Sequence, residues 1–109
     1  MAELTPVVKE LYEATKRLEK ATREIFKLAT AKAEMERAYR QALAQEIVKL
    51  RAENTPATLI PDLSRGNVSY FKFERDLAAD TYKSAISSME ALKAAINALQ
   101  SIAKYQSEV

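Results

Sequence analysis

The sequence predicts an all-α fold, a long antiparallel helical hairpin that assembles into a helical bundle by self-association. Three observations predict it. Two long stretches free of glycine flank residues 54–66, which hold two of the three prolines and the only glycine. Within both stretches apolar residues recur at alternating spacings of four and three, the period of a coiled-coil seam. No segment alternates apolar and polar side chains in the manner of a strand. The 109 residues are expected to form a single domain. Its parts are a helix over about 6–53, a bend at 54–66 and a second helix over about 67–106.

Thr5-Pro6 opens the first helix, because threonine caps a free N–H and proline at the first helical position loses no bond. The helix then runs uninterrupted for roughly 70 Å, at about 1.5 Å per residue. Leu4, Val8, Leu11, Thr15, Leu18, Thr22 and Ile25 trace its seam. The apolar row then slips by one residue, to Leu28, Ala31, Met35, Tyr39, Ala42 and Leu50. Such a slip changes the supercoil locally, so straighter packing or a bend is expected over residues 26–35.

Asn54-Thr55-Pro56 ends this helix, asparagine tolerating the left-handed cap and the residue before proline avoiding the α region. Leu59 and Ile60 are too apolar to stand in solvent and should fold back on the hairpin end. Pro61-Asp62-Leu63-Ser64-Arg65-Gly66 reads as one tight turn closed by glycine. A connection of this length is long for two packed helices, and long connections tend to carry function.

Asn67 is the expected cap of the second helix. Its seam is Ala78, Tyr82, Ala85, Met89, Leu92, Ile96, Leu99 and Ala103. A second apolar row lies on another face: Tyr70, Phe73, Leu77, Ala91, Ala95, Ala98, Ile102 and Tyr105. A helix apolar on two faces is normally buried on both, and one partner helix covers one of them. The second row is therefore the expected oligomer interface, with alanines that let helices approach closely.

Composition removes several classes of function. Lys+Arg 17 against Asp+Glu 15 leaves +2, too little to argue nucleic acid from net charge. Cysteine and histidine are absent, so disulfides, thiolate metal sites and imidazole bases are excluded. A single glycine forbids a phosphate loop. These absences point away from an enzyme, and no cofactor is expected. Glu90, Lys93, Asn97 and Gln100 interrupt the most apolar window, so no membrane span is expected. No signal-peptide core is evident, and a cytoplasmic protein is expected.

Two groups of residues are candidates for contact. Lys9, Lys16, Lys20, Arg23 and Lys27 fall within about 60° of one another on a helix and lie opposite the seam. Phosphates or an acidic protein would suit this stripe, although Glu13 and Glu24 flank it as on an ordinary solvated face. At the bend, Arg65, Gly66, Lys72 and Arg75 accompany Tyr70, Phe71 and Phe73. Cations among aromatics can hold nucleic acid. The helical phase, however, puts Phe71 in the seam with Ala78 and Tyr70 and Phe73 on the second apolar row, so packing is the better account of the aromatics. Arg65 beside Gly66 fits packing least, and a carboxylate or phosphate could meet it bidentately.

ERAYRQALAQEIVKLRAENTPATLIPDLSRGN and FERDLAADTYKSA together resemble a family of short helical proteins from phages and prophages of Gram-positive bacteria. The resemblance covers about residues 36–86. Its marks are a basic residue before the glycine of the bend, here Arg65-Gly66, and the pair Tyr82-Lys83. Asn54 stands where a glycine often follows the first helix. The resemblance implies an accessory protein of the early replication and recombination region, with no established activity.

The expected function is thus a non-enzymatic oligomeric adaptor or accessory protein that contacts a host or phage protein. One alternative is a nucleic-acid-binding accessory that uses the basic stripe. Another is a host-directed inhibitor, or a sponge that holds a small ligand between protomers near Arg65.

Overall fold

The computed structural model describes residues 4–108, and side chains from 6 to 107. Helix accounts for 92% of the described residues, in three helices and no strand. They are α1 (Leu4–Ala52), α2 (Ile60–Asn67) and α3 (Ser69–Glu108). None of them is long and apolar enough to cross a membrane. The capping role expected of Thr5 and the seam position of Leu4 fall on side chains outside the described residues. The chain divides into two compact units, Met1–Lys27 with Lys83–Val109, and Leu28–Tyr82.

The seam of α1 keeps Leu11, Leu18 and Ile25 as expected, and its alternate positions lie one residue earlier than expected. Val7, Leu11, Ala14, Leu18, Ala21, Ile25 and Leu28 are the shielded positions, and Ala14 is only 1% exposed. Val8, Thr15 and Thr22 are exposed instead. Both threonine hydroxyls donate to the carbonyl four residues back, at Leu11 and Leu18, each at 2.9 Å. That local bond satisfies the hydroxyl at the helix surface, and the alanine beside each threonine takes the buried place. From Leu28 the shielded row runs through Ala31, Met35, Tyr39, Ala42 and Leu50 as expected, while Lys32, where a strict repeat from Leu28 would fall, is exposed. α1 is unbroken over residues 26–35.

Asn54 terminates α1 as its sequence predicts, with φ 60°. Its N–H donates to the Arg51 carbonyl and that of Thr55 to the Leu50 carbonyl, each at 3.1 Å. The crossed pair is a Schellman cap, which answers carbonyls the last helical turn would otherwise orphan.

The tight turn expected over residues 61–66 is instead helix. Pro61 stands in the first turn of α2, Asp62 beside it, and Arg65 in the last turn. Proline loses no bond there, and the two charges match the helix dipole. Ile60, Ser64 and Val68 recur every four residues and are all buried. Removing an isoleucine side chain from water contributes on the order of 2 kcal/mol, enough to hold a two-turn helix that could not stand alone. Ile60 does fold back, as expected, whereas Leu59 remains exposed. The buried Ser64 hydroxyl donates to the Pro61 carbonyl at 3.0 Å.

Gly66 lies within α2, has no positive φ and closes no turn. Asn67 caps nothing. It is the last residue of α2, and its amide donates to Glu46 Oε1 at 2.7 Å, tying α2 to α1. Val68 joins the helices, its N–H meeting the Ser64 carbonyl while its own carbonyl accepts from Lys72.

Along α3 the shielded positions are the expected seam: Ala78, Tyr82, Ala85, Met89, Leu92, Ile96, Leu99 and Ala103. Thr22 Oγ1 lies 4.0 Å from Met89 Sδ in the unit that joins the two ends of the chain.

Candidate functional site

The second apolar row of α3 is exposed along its whole length. Tyr70 is 69% exposed, Phe73 60%, Ile102 46% and Tyr105 71%, and Leu77, Ala91, Ala95 and Ala98 are exposed with them. Leu77 also lines a groove within Leu28–Tyr82, whose other apolar walls are Leu28, Ala31, Met35 and Ala78. Tyr70 and Phe71 meet edge to face, ring centroids 6.1 Å apart. Phe71, expected in the seam, is exposed as well. In the other unit Val8 and Tyr12 of α1 add apolar surface.

Lys72 and Arg75 are brought together, but onto a carboxylate of their own helix. Lys72 Nζ lies 2.9 Å from Asp76 Oδ2, and Arg75 donates to Asp76 Oδ1 from Nη2 at 3.0 Å and Nε at 3.1 Å. Arg75 lies three residues before Ala78 in the seam and is half-buried, its guanidinium carbon 4.3 Å from the centre of the Tyr39 ring. Its Nε is 3.7 Å from Glu36 Oε2, while Arg40 Nε holds the other Glu36 oxygen at 2.7 Å. The hydrogen bond from Lys72, then that from Arg75, holds the Asp76 carboxyl below its ordinary pKa. The hydrogen bond to Asp76 raises that of Arg75 in turn. Lys32 Nζ sits 5.1 Å from the Tyr82 ring centre, and both line a second groove of Leu28–Tyr82 with Glu36, Arg40, Arg75 and Asp76, beside Ala29, Ala33 and Ala79. Four cations, Lys32, Arg40, Lys72 and Arg75, meet two carboxylates here, Glu36 and Asp76, so both carboxylates are paired and a net charge of +2 remains.

Arg65 and Gly66 stand apart from this cluster, on α2. The Arg65 guanidinium is 66% exposed and lies 3.6 Å from the still more exposed Asp62. The rigid presentation expected from a glycine turn is absent, since the segment is helical. The stripe of Lys9, Lys16, Lys20, Arg23 and Lys27 is exposed throughout. Lys27 pairs with Glu24 at 3.4 Å, and Lys16 Nζ lies 5.3 Å from the Tyr12 ring centre.

The network of Glu36, Tyr39, Arg40 and Asp76 was not anticipated among the site residues. The spacing of four between Glu36 and Arg40, and between Lys72 and Asp76, announces its two local halves. Their union through Arg75 requires knowing which helix faces meet. No family model, no curated protein and no solved structure matches the chain.

Proposed function

We propose that the chain is a non-enzymatic helical scaffold, an accessory protein of the type its phage-like segments suggest, which self-associates and acts through protein–protein contacts. The observation that carries this reading is the exposed row from Tyr70 to Tyr105, set against the shielded seam on the same helix. A second copy is the occupant that supplies an equally apolar face in equal amount.

An antiparallel pairing of α1 with the chain after the connection underlies this reading. Within Leu28–Tyr82, Lys32 meets Tyr82, Glu36 meets Arg75 and Glu46 meets Asn67. The second number falls as the first rises, which supports segments of opposite direction.

Ile102→Glu tests the scaffold reading. Ile102 is already exposed in the single chain, so the substitution leaves each chain folded and acts on the interface alone. Light scattering at micromolar concentration should report at least a dimer for the wild type and a smaller species for the variant, at equal helicity. A wild-type monomer of about 12 kDa refutes the reading, as does an assembly that Ile102→Glu leaves unchanged. The basic stripe favours nucleic acid as the alternative partner. It requires binding of single-stranded DNA that weakens steeply with salt and is lost in a Lys16→Glu/Arg23→Glu variant.

A further inference from the structure

A pocket of about 280 Å³ lies where the end of α1 meets α2, wholly within Leu28–Tyr82. Its walls are Leu43 and Ile47 of α1, Ile60 of α2 and Ala57 of the connection, and Arg51 and Arg65 complete the lining from opposite helices. Ser64 adds little polarity to the wall, because it is only 1% exposed and its hydroxyl donates to the Pro61 carbonyl. The interior is thus apolar, and both of its charges are positive.

We propose that this pocket binds a small amphiphilic monocarboxylate, with the carboxylate between Arg51 and Arg65 and an unbranched aliphatic tail on Leu43, Ile47 and Ile60. Each arginine is available. A cation at the end of a helix ordinarily serves the last carbonyls, but those of Lys49, Leu50 and Arg51 already accept from Glu53, Thr55 and Asn54. Arg51 has no ion pair among the described residues. Arg65 has only its contact with Asp62, between two largely exposed side chains, and such pairs contribute little and exchange readily. A guanidinium is the side chain best shaped for a carboxylate.

Size selects the tail. At about 30 Å³ per water-sized group, the pocket holds roughly nine non-hydrogen groups, which corresponds to an acid of about seven or eight carbons counting the carboxyl carbon. A peptide strand would need a longer groove, and a phosphate alone would leave the apolar wall unused. This site goes beyond the scaffold reading and does not depend on it, since every residue named comes from one chain.

Titration calorimetry of the full chain with octanoate, 1-octanol and acetate tests the proposal. Octanoate should bind saturably, one per chain, at least tenfold more tightly than the uncharged alcohol or the tailless acid. Arg51→Gln and Arg65→Gln should each weaken octanoate about tenfold, as expected for loss of one charge-assisted contact. Ala57→Phe should abolish binding by filling the pocket. All three positions are exposed, so the variants should keep the helicity of the wild type. Octanoate that binds no better than octanol overturns the proposal. So does uptake that never saturates, or binding unaffected by both arginine variants and by Ala57→Phe.

Discussion

Arg75 occupies a position that the 4,3 repeat of α3 reserves for apolar side chains, and its surroundings tolerate the charge. The guanidinium lies over Tyr39 and reaches both Asp76 and Glu36. Neither carboxylate depends on it alone, because Lys72 holds Asp76 and Arg40 holds Glu36. Removing one member of a buried charge pair is costly when the other is left unpartnered, and here no carboxylate would be. Arg75→Leu is therefore expected to leave the melting temperature at or above that of the wild type; a drop of several degrees would show that the network is indispensable. Asp76 gives the molecule an acid-side dependence. Its pKa is lowered in the fold, so its contribution is complete above the ordinary carboxylate range near pH 3.9 and is lost as pH falls through the folded value. Urea unfolding at a series of pH values should show Asp76→Asn less stable than the wild type at neutral pH, with the gap closing in acid. A gap independent of pH would contradict this.

Two caps at the connection separate what a sequence states openly from what it leaves implicit. Asn54 was legible, because few residues other than glycine accept φ near 60° and the helical pattern stops beside it. Asn54→Ala should cost about 1 kcal/mol and Asn54→Gly nothing or less, measured by thermal unfolding. Gly66 was misleading. A glycine after Pro-Asp-Leu-Ser-Arg reads as the end of a turn, but proline and aspartate are equally marks of a helix start, and burial of Ile60, Ser64 and Val68 decides for the helix. A Cβ at Gly66 would meet nothing within 4 Å, and the backbone is ordinary helix. Gly66→Ala should then raise stability by about 0.4–1 kcal/mol, a few degrees in melting temperature. A loss would restore a special role for the glycine. The seam of α1 was missed only at its alternate positions 8, 15 and 22, for a related reason: valine and threonine there look more core-like than the alanines at 14 and 21. Bulk was a poor guide there, since a hydroxyl that bonds its own helix is content in solvent. In α3 the large residues Tyr82, Met89, Leu92, Ile96 and Leu99 hold the seam, and it was read correctly. The pocket beside Arg51 had no sequence signal, because it depends on α2 being a helix.

At the scale of the whole molecule, the buried apolar side chains among the described residues are few and unevenly shared. Leu50, Ile60 and Val68 belong to Leu28–Tyr82, and only Ala14 and Ile96 belong to the unit that joins the two ends of the chain. An alanine contributes little apolar area, so that second unit has the thinner core and should open more readily. It also carries Ala91, Ala95, Ala98, Ile102 and Tyr105, the greater part of the row proposed to meet a second copy. Association should consequently protect this unit more than the other, and protection that comes from association rises with protein concentration. Hydrogen exchange followed at nanomolar and at tens of micromolar chain is the measurement. Amides of residues 7–27 and 83–106 should exchange more slowly at the higher concentration, while those of residues 30–80 should change little. In Ile102→Glu the same amides should exchange rapidly at both concentrations, because the chain folds but its neighbour is lost. Exchange that is uniform along both helices removes the case for a thin core in this unit. Exchange that is uneven but independent of concentration keeps that thin core and removes the second copy.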